Sequence, residues 1–217
     1  MGIITRSFAN NITTSGVLLP GAVNNSSFDS VTSVPSGALP SGGSLNLIQR
    51  QTGTSVSSIS FTSLGSYDTI WIIVEDYDPG TNSADLEFQA STNGGSSYGI
   101  QVTTTNWRNV ARDTGTSDQQ LSRCNNLDTN YVELIHDTGT DATDASGAEI
   151  WMFGLTSTTK NKNFFSQSMT VQGDDDYYGS YQNGVFNTTS AIDALDFKPT
   201  SGTMNAIISI YGLDTTV

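Results

Sequence analysis

The sequence predicts an all-β fold: a two-sheet antiparallel sandwich, jelly-roll-like, preceded by an extended N-terminal arm. Three observations carry this reading. Short runs of strand-forming residues recur along residues 45–217, most of them closed by Gly, Asn or Asp turns. No segment holds the 3.6-residue apolar period of an amphipathic helix over three turns. Residues 1–44 contain apolar side chains without any period, which sets them apart from the sandwich.

In that first segment Ile12, Val17-Leu18-Leu19, Phe28, Val31 and Val34 stand singly or in one brief cluster among Asn, Ser, Thr, Gly and Pro. Fixing a backbone costs roughly 1–2 kcal/mol per residue, more than such sparse apolar surface returns by itself. Residues 1–44 are therefore expected to be an attachment arm and hinge that docks on another chain. Phe8, Leu18, Leu19 and Phe28 are its anchors. The hinge is Pro35-Ser36-Gly37-Ala38-Leu39-Pro40-Ser41-Gly42-Gly43, where Pro removes donors and Gly and Ser add freedom.

The sandwich domain occupies 45–217, and its strands follow in order. Residues 45–50 and 58–61 are weak strand runs. Ile70-Trp71-Ile72-Ile73-Val74 is apolar on both faces and belongs at the centre of a sheet, covered on its second side by another layer or subunit. Asp85-Leu86-Glu87-Phe88-Gln89-Ala90 alternates, so Leu86, Phe88 and Ala90 face the core while Asp85, Glu87 and Gln89 face solvent. Runs at 131–136, 149–155, 164–171, 192–197 and 206–211 complete a set of about nine or ten, which at this spacing means a two-sheet sandwich.

Two dipeptides, Asn93-Gly94 and Asn183-Gly184, signal hairpin turns, because type I′ geometry needs positive φ. Ser91-Thr92-Asn93-Gly94-Gly95-Ser96-Ser97-Tyr98 resembles the Asp-box, a turn of sialidase propellers and other β proteins. In those proteins the box is structural and lies away from the catalytic centre. A single copy argues against a propeller.

The most site-like segment is Gly173-Asp174-Asp175-Asp176-Tyr177-Tyr178-Gly179-Ser180-Tyr181. Aromatic faces stack on sugar rings and carboxylates accept hydrogen bonds from hydroxyls, so Asp174, Asp175, Asp176, Tyr177, Tyr178 and Tyr181 form a candidate glycan-binding set. Three successive Asp also offer the oxygen ligands that calcium takes. The competing reading is a solvated acidic loop whose tyrosines pack back on the sandwich. Asp137, Asp141 and Asp144 miss the EF-hand order and form an exposed loop. His136, the one histidine, has no Gly-x-Ser-x-Gly elbow to serve and is read as a sheet-end residue on the face of Val132 and Leu134. Trp107, Arg108 and Arg112 offer a local cation–π surface. No carboxylate pair stands out for glycoside hydrolysis. The chain is thus expected to be non-enzymatic, with no catalytic residue, metal site or cofactor.

Composition narrows the partners. At 217 residues, 35% hydrophobic with 21 glycines, the chain fits one all-β domain plus an extension. Its net charge of −13, from 21 acidic and 8 basic residues, repels phosphate backbones and anionic lipid. Nucleic acid and membrane are therefore excluded as expected partners, and the charge keeps a displayed protein soluble. One cysteine, Cys124, makes neither an intrachain disulfide nor a thiolate metal site alone and is expected to be a buried apolar side chain of a protein folded in a reducing cytosol. No uninterrupted apolar stretch follows Arg6, and residues 70–74 are too short to span a bilayer. Met1-Gly2 lacks the Ser or Thr that myristoylation wants, since Arg6 occupies that place.

The opening Met1-Gly2-Ile3-Ile4-Thr5-Arg6-Ser7-Phe8-Ala9-Asn10-Asn11-Ile12-Thr13-Thr14-Ser15-Gly16 resembles the start of small virion structural proteins of marine tailed bacteriophages. The resemblance continues through residues 58–68, the 91–98 turn, Phe186-Asn187-Thr188-Thr189-Ser190-Ala191-Ile192 and the closing Ser209-Ile210-Tyr211-Gly212-Leu213. It implies a virion component, a capsid decoration or tail-fibre head, often trimeric, and it brings no catalytic residues. The chain lacks the repetitive shaft of a long fibre, which favours a decoration protein or short appendage. The expectation is a non-enzymatic phage structural protein, made in the host cytoplasm and carried on the virion surface. Its arm docks on capsid or tail proteins, its sandwich is displayed, and it assembles as a homo-oligomer with a trimer favoured. The alternative is a carbohydrate-binding adhesin module that recognises a host surface glycan.

Overall fold

The structure, a computed structural model, describes residues 45–112, 117–120, 124–141, 143–144, 146–173 and 176–213. For 117–120 and 124–129 it describes strand pairing alone, so the expected burial of the Cys124 side chain lies outside the described residues. The arm, its hinge and the anchors Phe8, Leu18, Leu19 and Phe28 lie outside them too.

The described chain is all strand and turn. First come β1 (Leu45–Val56), β2 (Ile59–Phe61), β3 (Thr69–Pro79) and β4 (Ala84–Ser91). Then follow β5 (Val102–Ala111), β6 (Ser117–Gln120), β7 (Cys124–Thr129), β8 (Val132–Thr138) and β9 (Gly147–Phe153). The last are β10 (Lys162–Val171), β11 (Tyr177–Phe186), β12 (Ala194–Pro199) and β13 (Met204–Leu213). They form two antiparallel sheets. The larger runs β1-β13-β3-β9-β10-β11-β5-β6, with β7 also pairing β5, and the smaller runs β2-β12-β4-β8.

Eight of these strands make one wrapped ribbon. β1 pairs β13, β2 pairs β12, β3 pairs β9 and β4 pairs β8, so the first four strands each find a partner from the later part of the chain. Folding that ribbon across two sheets gives β1-β13-β3-β9 opposite β2-β12-β4-β8, the eight-stranded jelly roll. Two excursions are added. β5–β7 leave between β4 and β8, and the β10–β11 hairpin leaves between β9 and β12; all join the large sheet beyond β9. The sequence signals the eight ribbon strands and β10, while β5, β6, β7 and β11 carry no apolar alternation and are new.

The core joins the β10–β11 excursion to the jelly roll through one aromatic side chain. Phe88 of β4 stacks on Phe197 of β12 with centroids 5.7 Å apart, and meets Phe164 of β10 and Phe186 of β11 edge-on at 5.5 and 6.0 Å. Phe61 adds an edge-on contact to Phe197 at 6.0 Å. All five rings are buried. Ile70, Ile72, Ile150, Met152, Ile208 and Ile210 fill the rest of the space from the large sheet.

Three expectations are corrected. Asn183-Gly184 is no turn: it lies inside β11, and a Cβ on Gly184 would stand 2.3 Å from the Phe164 ring, so the glycine makes room for the core. Asn93-Gly94 does turn, with Gly94 and Gly95 at φ +70° and +84°, but it links β4 in the small sheet to β5 in the large one and is not a hairpin. That turn is closed by its own side chains: Ser91 Oγ accepts from the N–H groups of Asn93 and Gly95, and Asn93 Oδ1 accepts from Ser97 N–H at 3.0 Å. Finally, Glu87 and Gln89 do not face solvent, at 7% and 9% exposure. β4 lies between β12 and β8, and Lys198, directly across from Glu87, brings its Nζ to 3.7 Å.

At one end of the sandwich, buried Lys162 donates to three carbonyls, those of Ser157, Lys160 and Thr189, at 2.5, 2.9 and 2.8 Å. It fastens the loop after β9 to the loop after β11. Burial lowers the pKa of its ammonium while Asp68 opposes that shift.

Truncating Phe88 to Ala removes the contact shared by both sheets and both strands of the β10–β11 excursion. It should cost about 3–5 kcal/mol, read as a lowered urea midpoint. A loss below about 1 kcal/mol would show that the cluster does not couple them.

Candidate functional site

The strand period divides the segment that the sequence marks as site-like. Asp174 and Asp175 lie outside the described residues. Asp176 is buried, and its carboxylate accepts from Arg112 Nη1 at 3.0 Å. Tyr177, Tyr178 and Tyr181 belong to β11 rather than to a loop, and side chains alternate across a strand. Tyr177 and Tyr181 therefore stand on the outer face of the large sheet, half-exposed, while Tyr178 turns inward with its ring 5.8 Å from His136. Trp107 and Arg108 split in the same way, so the expected cation–π surface does not form: Arg108 points inward and its Nη2 donates to Glu133.

Around Arg108 the inward face carries an ionic cluster. β8 bulges where Leu86 pairs Ile135 but Glu87 pairs Glu133, which leaves Leu134 as the extra residue. The bulge moves His136 off the Val132 and Leu134 face, correcting that expectation, and brings it beside Glu133. His136 Nδ1 lies 3.0 Å from Glu133 Oε1 and 3.2 Å from Asp85 Oδ1. Asp85 also accepts from the Asp137 N–H at 2.7 Å. Burial alone would push the Asp85 carboxyl up, but the His136 contact, the Asp137 N–H and the Arg108 charge together hold it below its ordinary value. Donor atoms of Asp85, Glu133 and His136 lie within 4.8 Å of one another, close enough for a cation. Arg108 already places positive charge on Glu133, so the carboxylates have a partner without a metal. Asp141 and Asp144 close a turn on each other, with Asp141 N–H donating to Asp144 Oδ2 at 3.1 Å.

The outer face of the large sheet is the more distinctive surface. Outer faces of antiparallel sheets are normally polar. Here one row across seven strands reads Leu47, Tyr211, Trp71, Trp151, Phe165, Asn183, Thr105. Trp71 stacks on Trp151 and on Tyr211, at 5.6 Å each, and its indole N–H donates to Glu149 at 3.1 Å. Beyond Trp151 the row changes character. Phe165 and Phe153 pack 5.9 Å apart, Trp107 and Tyr181 pack 5.9 Å apart, and between these two pairs the side chains are short. Thr103, Thr105, Asn163, Asn183 and Val185, with Phe153 and Phe165, line an open depression of about 450 Å³; Trp107 and Tyr181 stand just outside it, two residues along β5 and β11 from Thr105 and Asn183. Trp107 and Tyr181 are 42% and 52% exposed, so their ring faces are available.

Sequence inspection finds Tyr181 and Trp107 separately but cannot pair them, since 74 positions divide them along the chain. Their adjacency follows from the register of β11 against β5, Tyr181 opposite Trp107.

The Asp85 carboxyl yields a pH prediction. Its folded pKa is depressed, so its stabilisation is present above the ordinary value of 3.8 and is lost as pH falls through the folded value. Asp85→Asn should therefore be less stable than the parent at neutral pH, and the gap in urea midpoint should close in acid below that value. A gap that stays constant with pH would sever Asp85 from the cluster. Compared with known proteins, the chain matches no family model, no curated protein and no solved structure.

Proposed function

We propose that this chain is a non-enzymatic structural protein of a bacteriophage virion, a capsid decoration or short tail appendage. Residues 1–44 dock on the particle through Phe8, Leu18, Leu19 and Phe28, and the jelly roll is displayed. One observation carries the reading: an eight-stranded jelly roll whose large sheet presents an apolar outer face at the end where β1 begins. Jelly rolls serve in viral capsid and lectin domains, which is an argument from architecture. The exposed Leu45 and Leu47 beside Tyr211 and Trp71 suit a contact with a neighbouring copy or virion protein, in keeping with a homo-oligomer, trimer favoured. The sequence resemblance to phage virion proteins points the same way.

A second reading, an adhesin module for a host surface glycan, draws on the half-exposed rings of Tyr177, Tyr181 and Trp107.

Deleting residues 1–34 should abolish incorporation into particles and leave a soluble, folded sandwich, as judged by immunoblotting purified virions and by far-ultraviolet circular dichroism. Unchanged incorporation would sink the docking role of the arm. Light scattering on the full chain should give a trimer mass, with Leu47→Ser shifting it toward monomer.

A further inference from the structure

We propose that the depression lined by Phe153 and Phe165, together with the Trp107–Tyr181 pair that adjoins it along β5 and β11, is a binding site for a neutral glycan, seating a short run of uncharged sugar rings. The proposal deepens the adhesin reading, on which it rests, and is independent of the virion reading.

Shape is the first argument. The depression exists because threonine, asparagine and valine stand between taller aromatic side chains, and its volume of about 450 Å³ falls inside the ~300–1,000 Å³ span of small-ligand sites. Its floor is made of β10, β11 and β5, paired in continuous register from Asn163↔Val185 and Phe165↔Asn183 to Asn183↔Thr105 and Val185↔Thr103. A floor of hydrogen-bonded strands needs little ordering on binding, which preserves affinity.

Chemistry is the second. Sugar rings present apolar C–H faces and a rim of hydroxyls that both donate and accept. The two aromatic pairs, tilted within each pair by 32° and 31°, offer surfaces for the C–H faces. Asn163 and Asn183 each bring an amide with donor and acceptor ends, and Thr105 brings a hydroxyl. None of these three side chains makes a hydrogen bond among the described residues. An apolar protein segment lying here would bury those polar groups unpaired, a cost that sugar hydroxyls remove.

Charge is the third. Among the described residues no charged side chain lines the depression, although the chain carries −13 overall. Glu149, which stands near the Trp151 side, is engaged by the Trp71 indole and by Gln167. Sulfated or carboxylated sugars would find no cation in the site and a repelling field around it, so the ligand is neutral.

The test uses the full chain in native gels containing dextran, mannan, xylan or laminarin, with dextran sulfate as the anionic counterpart. At least one neutral polysaccharide should retard the protein, and dextran sulfate should not. Phe165→Ala and Tyr181→Ala should each weaken retardation about tenfold, the order expected of a lost aromatic contact. Both residues are half-exposed, so the unfolding midpoints of the variants check that the fold is kept. Met169→Ala, exposed on β10 but outside the lining of the depression, should bind as the parent does. Retardation that survives both aromatic substitutions would overturn the site while leaving the adhesin reading intact. Retardation by none of the four neutral polysaccharides would overturn both. A smaller mass for Phe165→Ala in light scattering, without retardation of the parent, would make the depression a contact between copies and overturn the proposal.

Discussion

Phe88 is the contact on which the arrangement depends, because it belongs to the small sheet and touches both members of the β10–β11 hairpin. Its stacking on Phe197 holds two strands of the small sheet at one distance, and its edge-on contacts draw the hairpin over them. Only a glycine at position 184 lets the Phe164 ring settle there. With the hairpin seated, β5 has a strand to pair with, and the large sheet grows past the width that the small sheet covers.

That mismatch of nine strands against four explains the polar interior. Away from the phenylalanine cluster, the inner faces of β5, β10 and β11 bury Thr104, Asn106, Ser166, Thr170, Ser180 and Gln182. Hydroxyls of Thr138, Ser146 and Thr170 join across this region at 2.8–3.4 Å, linking β8 to β10. Arg108 and Tyr178 then reach Glu133 and His136 on β8, so the extension also shields what would be an open edge of the small sheet. The ionic cluster is thereby a fastening between sheets, set where a bulge turns His136 toward it.

On the opposite face the same extension has a different result. Near β1 the outer face is a row of large side chains, and near β5 it drops to threonine and asparagine between two aromatic pairs. One sheet thus carries two surfaces of unlike chemistry. The apolar one suits a protein neighbour, and the depression, with its amides, suits a polar, uncharged ligand. Their separation across several strands keeps the two roles distinct under mutation.

The amino-acid sequence by itself determined the all-β class and the strands of the jelly roll, because Ile70–Val74, Leu86, Phe88 and Ala90, and the 206–211 run state their burial through local period. It also marked Tyr177, Tyr181 and Trp107 as aromatic residues in polar surroundings. It did not disclose β5 and β11, since those strands bury Thr104, Asn106, Ser180 and Gln182, and a strand whose buried face is largely polar shows no hydrophobic alternation. The same blindness made Asn183-Gly184 look like a turn and Glu87 look solvent-facing. Whether a glycine serves a turn or a ring, and whether a carboxylate is wet or covered, depends on side chains that arrive from strands far away in sequence. Tertiary structure alone decided those points, and with them the candidate site, because register across β9, β10, β11 and β5 is what brings its aromatic pairs and amides together.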